Sequence, residues 1–348
     1  MTEALIGFAA VLVLVLLRMP IVFAMGLVGT FGFAYVRGGS FFDGRGMKAS
    51  MSMVGRLLIP PSVILVIYGL LTETSIGKLF MAGIIPGILG ILFYLGAVRW
   101  VVHRDPKAGP AGERAPWGVR LRAMRDVWVV LLLFFLVIGG LYGMFDFEPL
   151  NLTFSPTEAA GMGAMGAFII ALSRGGLTVA STFETLRETA FTAAALFAVL
   201  IGAQIFSNFV NLAGLPDALI GIVTAYDVSP HVVLLMILCI YIVLGCVFES
   251  LSMLLLTVPI FFPLVTSLGF DPVWFGIVVV VVTEISLITP PVGLNVFILK
   301  GVVGDVSTGT IFRGVTPFWI ADIFRLALIV LVPWLVLVLP NSMGALGH

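Results

Sequence analysis

The sequence predicts an all-α integral membrane protein, a polytopic helical bundle with an inverted structural repeat, a re-entrant hairpin and discontinuous helices. Three observations carry that expectation. Of 348 residues, 60% are hydrophobic and 10% charged, whereas a soluble surface needs about 25% charged residues. Apolar runs bounded by charge, Gly or Pro recur along the whole chain. Finally, two proline-pair interruptions with matching surroundings fall in its two halves. At about 20 apolar residues per crossing, the composition allows at most about ten spans and no soluble domain.

Taken in order, the candidate spans are 4–17, 20–36, 57–72, 79–102, 127–145, 157–173, 189–213, 231–248, 273–299 and 315–339. The first has Glu3 where a secretory signal would carry positive charge, and no Ala-x-Ala site follows it, so it is expected to be a membrane helix. The stretch 249–268 contains Pro259 and Pro263. Because each proline interrupts a helical hydrogen-bond ladder, a re-entrant hairpin is expected there. The one long polar connection, 103–126, holds Arg104, Lys107, Arg114, Arg120, Arg122 and Arg125 and is expected to be cytoplasmic. This organisation divides the chain into an N-terminal repeat half (1–102), the basic loop (103–126), connecting helices (127–188) and a C-terminal repeat half. That last half spans 189–348, with its hairpin at 249–268 and a broken helix at 273–303.

The repeat is the most informative feature. Ile59-Pro60-Pro61-Ser62 is followed by Ser75-Ile76-Gly77-Lys78-Leu79-Phe80, Gly83 and Pro86. Thr289-Pro290-Pro291-Val292 is followed by Ser307-Thr308-Gly309-Thr310-Ile311-Phe312, Gly314 and Pro317. Paired interruptions of this kind point to a secondary transporter with its sites near the bilayer midplane. In the second break, prolines free upstream carbonyls, Gly293 permits unusual dihedrals, and Thr289 and Asn295 add side-chain oxygens, a set suited to sodium. A simple kink is the competing explanation. Ser62 supplies the single hydroxyl of the first break.

Glu249-Ser250 and Glu284 are carboxylate-bearing positions in apolar surroundings. A charge at membrane depth costs at least about 2.5 kcal/mol, so it persists where it meets a cavity, a partner or an ion. Glu249 is read either as a functional group or as a helix cap, and Glu284 either as a site residue or as the partner of Lys300 or another cation. Gln204, Asn208 and Asn211 share one helical face, which is expected to look inward, lining a cavity or forming a packing seam. Asp322 and Arg325, three apart, read as an internal ion pair.

Other classes lose support on the same page. The 18 Lys+Arg balance the 18 Asp+Glu, leaving no basic field for nucleic acid. Cys239 and Cys246 are two helical turns apart, about 10 Å, too far for a disulfide. Three histidines form no Cys/His cluster. Neither a phosphate-binding loop nor a nucleophile elbow is present, so neither an enzyme nor an ATP-driven machine is indicated.

Together these motifs resemble the large membrane subunit of tripartite ATP-independent periplasmic (TRAP) transporters, the DctM type. The similarity rests on Pro20–Leu27, Leu58-Ile59-Pro60-Pro61-Ser62 with Tyr68-Gly69, Ser75–Phe80 running to Gly83–Gly87, Glu249–Met253, Gly269–Gly276 and Thr289–Asn295. The resemblance implies an elevator-type importer in the bacterial inner membrane, driven by sodium, that takes up a small organic anion, typically a carboxylate. It further implies a small DctQ-type membrane subunit and a DctP-type periplasmic binding protein as partners, and no cofactor beyond the coupling sodium ion. Ser62, Glu249, Ser250, Thr289, Pro290, Gly293 and Asn295 would carry ion and substrate binding, with Thr289 and Asn295 the sodium candidates. Two departures stand out. Glu249-Ser250 occupies the place of the family's common Met-Asp, and only 37–56 intervenes where the family carries a first hairpin, about 80 residues fewer than expected. A non-transporting scaffold that retains only small-subunit binding is the alternative reading.

Overall fold

A computed structural model describes residues 62–106, 117–145, 154–290, 293–303 and 306–346. The candidate spans 4–17 and 20–36, the Pro60-Pro61 pair, the shortened 37–56 region, and Pro291 and Val292 lie outside the described residues. Twelve helices and no strand are found among the described residues. They are α1 (Val63–Thr72), α2 (Ile76–Arg104), α3 (Trp117–Leu141), α4 (Pro156–Ser173), α5 (Val179–Leu212) and α6 (Leu215–Ala225). The series continues with α7 (Pro230–Gly245), α8 (Ser250–Ser267), α9 (Pro272–Ser286), α10 (Leu294–Val303), α11 (Thr308–Leu331) and α12 (Trp334–Leu346). Four of them, α2, α5, α8 and α11, are long and apolar enough to cross a membrane. Several others are apolar but shorter, because breaks cut the hydrophobic runs into part-length helices.

The chain forms two compact units, 1–110 with 203–348, and 111–202. In the smaller unit α3 and α4 form a helical hairpin. Ser155 caps α4 in a reciprocal box with Glu158, satisfying two orphan donors at the helix start. Small residues let the two helices approach closely: a side chain at Gly166 would strike Leu133. The segment 117–126, assigned from sequence to the polar loop, is instead the first part of α3, and α5 runs without interruption through the expected 188/189 boundary.

The larger unit is organised around α9. Asp271 caps this helix by accepting from the backbone N–H of Val273 and Trp274, at 2.8 and 3.0 Å. Five consecutive valines, Val278–Val282, are completely buried in it. Their β-branched side chains favour strands when isolated. Here apolar neighbours on every side decide for the helix, whose backbone satisfies its own polar groups. Helices α1, α2, α7, α8 and α11 all pack against α9.

The expected re-entrant hairpin at 249–268 is corrected by the structure: α8 is one continuous helix through both Pro259 and Pro263. Each proline removes a single ladder hydrogen bond, and α1, α6, α7 and α9 pack around α8 to hold its course. Most of its residues are buried, including every one from Met253 to Ile260. The interruption lies just upstream, between Gly245 and Ser250. Likewise, the expected 214–230 connection contains the short helix α6, entered through Gly214 at φ 66°.

Candidate functional site

Two breaks in the larger unit meet. The first joins α7 to α8 through Cys246, Val247, Phe248 and Glu249; the second joins α9 to α10 across 287–293. A Cβ on Gly245 would collide with the side chain of Ser286, so the ends of α7 and α9 are in direct contact. Just beyond, the Cys246 thiol lies 3.9 Å from the carbonyl oxygen of Thr289. The sequence excluded a Cys239–Cys246 disulfide but did not place the α7–α8 junction against the Thr289 segment.

In the second break the polar groups are held individually. Thr289, 6% exposed, donates its hydroxyl proton to the Ile285 carbonyl at 2.7 Å and accepts from the Trp319 indole N–H at 2.9 Å. Asn295 donates its backbone N–H across the break to the Leu287 carbonyl at 3.1 Å. Its side-chain Oδ1 is buried and has no hydrogen-bond partner among the described residues, a condition that costs on the order of 1–3 kcal/mol unless a donor, water or ion fills it. Gly293 has φ 56°, inside the left-handed region. Pro290 is exposed.

Glu249 is the N-cap of α8, accepting from the backbone N–H of Leu251 and Ser252 at 3.2 and 3.4 Å. Its carboxylate therefore complements the positive end of a helix dipole, and Ser250 opens that helix. Ser62 caps α1 in the same manner, with its hydroxyl 3.5 Å from Leu65 N. It sits on a separate element from the Thr289–Cys246–Trp319 contact. The inward orientation expected of the amide face is corrected: Gln204, Asn208 and Asn211 are all exposed. The buried face of α5 instead carries Ala203 and Val210, the latter packed with Leu215 and Ile260. Apolar burial fixes the helix rotation and turns the amides out.

Glu284 belongs to a buried charge cluster that sequence reasoning resolved only in part. Arg325, completely buried, lies 3.0 Å from Asp322 Oδ1 and 3.5 Å from Glu284 Oε2. The Tyr94 hydroxyl donates to Asp322 Oδ2. Gly90 makes room, since any Cβ there would strike the guanidinium. Lys300, named from sequence as a candidate partner of Glu284, donates instead to the Val306 carbonyl at 2.8 Å. The signal for this cluster was available in two forms. Trp319, Asp322 and Arg325 recur every three residues on one helical face, and Tyr94 follows Pro86 by the same eight residues that separate Arg325 from Pro317. A separate groove of about 560 Å³ between α2 and α11 is lined by apolar residues such as Phe93, Trp100 and Ile320, and contains none of these groups.

This arrangement of part-length helices, paired breaks and buried polar groups agrees with what comparison finds. Residues 42–335 match the family model described as the tripartite ATP-independent periplasmic transporter, DctM component. The chain belongs to the DctM family of TRAP transporters. It is 33% identical over 303 residues to the C4-dicarboxylate TRAP transporter large permease protein DctM of Pseudomonas aeruginosa, covering 86% of this chain and 68% of that one. The sialic acid TRAP transporter large permease protein SiaM of Vibrio cholerae is 32% identical over 305 residues, covering 87% and 68%. The ectoine/5-hydroxyectoine TRAP transporter large permease protein UehC of Ruegeria pomeroyi is 33% identical over 265 residues, covering 75% and 59%. The relatives are permeases, and this TRAP family member is accordingly a membrane-embedded permease component in its fold.

Proposed function

We propose that this chain is the large transmembrane subunit of a TRAP system in the bacterial inner membrane, taking up a small organic anion at the expense of a sodium gradient. The observation that carries the reading is the orphaned Asn295 Oδ1 at a break where Thr289 is already oriented by two hydrogen bonds. A buried oxygen without a donor is what a hard cation seeks, and unwound helix ends supply further carbonyls for it. Glu249 and Ser250, at the neighbouring α7–α8 junction, and Gly293, which lets the chain turn toward α10, complete the region with Pro290. Ser62 would serve the corresponding position of the first repeat.

In this reading a periplasmic binding protein of the DctP type delivers the anion, a small DctQ-type subunit packs beside the permease, and the repeat halves move as an elevator. The basic segment 103–126 faces the cytoplasm, as expected from its arginines. The substrates named for the relatives range over C4-dicarboxylates, sialic acid and ectoines, so the class proposed is a small organic anion, typically a carboxylate, with none singled out. The test is uptake of a labelled anion into proteoliposomes holding the permease, the small subunit and the binding protein. Uptake should require sodium, and Asn295→Ala should raise the sodium concentration for half-maximal rate; unchanged sodium dependence would remove Asn295 from the ion site.

A second reading is favoured by one fact: the matched region spans only about two thirds of the relatives' length. A permease lacking a hairpin would act as a non-transporting scaffold that binds the small subunit. Absent uptake, restored by inserting a family hairpin between Ser40 and Arg56, would decide for it.

A further inference from the structure

The Thr289 hydroxyl has one proton and two lone pairs. The Ile285 carbonyl, 2.7 Å away, can only accept, so the proton is committed to it. The Trp319 indole N–H can only donate, and at 2.9 Å it occupies one lone pair. A single lone pair remains, and its direction is set by a residue on another helix. That helix is anchored in turn. Asp322 and Arg325 lie three and six residues after Trp319 on the same face of α11, and Arg325 reaches Glu284, five residues before Thr289 on α9. The charged grip keeps α11 in register with α9, and the indole transmits that register to the broken end.

We propose that Trp319 is a positioning residue for the coupling ion, acting through the Thr289 hydroxyl. The inference rests on the sodium-coupled reading above. In proteoliposomes containing the complete system, Trp319→Phe should raise the half-maximal sodium concentration about fivefold, as expected for loss of one ordinary hydrogen bond, with the maximal rate retained. The Trp319→Phe/Thr289→Ala double variant should be no worse than Thr289→Ala alone, because both act on one interaction. Thr289→Ser, which keeps the hydroxyl, should raise the sodium requirement less than Thr289→Ala does.

A second readout is spectroscopic: sodium, and not choline, should shift the indole emission of the full chain, which has six tryptophans, and the shift should be lost in Trp319→Phe. Additive effects in the double variant, an unchanged sodium requirement in Trp319→Phe, or emission indifferent to sodium would each overturn the positioning role. Sodium-dependent uptake by the unmodified system alongside any of those results removes Trp319 alone. Uptake indifferent to sodium in the unmodified system overturns the coupling reading, and the positioning role falls with it.

Discussion

The two copies of the repeat share a frame and differ in chemistry. In the first, Ser62 caps α1, and α2 runs 29 residues through Pro86 to Arg104. In the second, the break holds Thr289 and Gly293, Asn295 lies in the first turn of α10, and α11 runs through Pro317. The helices that follow the breaks, α2 and α11, pack against each other. Eight residues past its internal proline, the first copy carries Tyr94 and the second Arg325, and both reach Asp322. The repeated frame thus brings equivalent positions together, while substitution at those positions makes the contact polar and asymmetric. Among the described residues, charge and orphaned polar atoms concentrate in the second copy and at this seam. There the frame has to be held against the cost of burying ions.

The severest way to break this asymmetry is to remove the cation. Arg325→Leu leaves Glu284 and Asp322 buried without a positive partner, which should cost about 3–5 kcal/mol. Thermal unfolding of the detergent-solubilised chain should show a large loss of stability or no folded material. A variant as stable as the original would mean the cluster contributes nothing to holding α9 against α11.

The symmetry-equivalent change should be milder. Tyr94→Phe removes a hydroxyl that donates to Asp322 but leaves the guanidinium pair intact, so about 2 kcal/mol is expected, the value of a hydrogen bond to a charged group. The edge-on packing of the ring against Phe318, at 5.4 Å between centroids, is retained. A loss equal to that of Arg325→Leu would contradict the division of roles between the two copies.

The second break can be tested through its backbone. Gly293→Ala places a Cβ on a residue at φ 56° and 3.3 Å from both Phe312 and the Thr289 carbonyl. The left-handed conformation alone should cost about 1–2 kcal/mol, read as a lowered melting temperature. An unchanged melting temperature would show that the break adopts another conformation.

Much of this was legible in the sequence where local rules decide. The Thr289–Asn295 interruption marked the passage from α9 to α10, and the apolar runs located α2, α4 and α7 to within a few residues, whereas the run 315–339 straddles the end of α11 and the start of α12. The α8 prolines misled because local hydrogen-bond loss was weighed without the four neighbours that pack around that helix. The amides of α5 misled for a similar reason: their spacing defines a face, but the burial of Ala203 and Val210 decides which way that face turns. Thr289 and Asn295 were nameable from residue type, whereas Trp319, Tyr94 and the Cys246 contact depend on helices distant in sequence being brought together.

The smallest effect is expected on that outward face. Gln204 is exposed on α5, and its replacement touches neither break nor the charge cluster. Gln204→Leu should therefore change stability by no more than about 0.5 kcal/mol and leave both the maximal uptake rate and its sodium requirement unaltered. The same substitution would be disruptive if the amide lined a substrate cavity, because a bound polar group would lose its partner. A change in substrate preference, with folding intact, would return α5 to the transport pathway. It would also show that the asymmetry between the two copies extends beyond the α9–α11 seam.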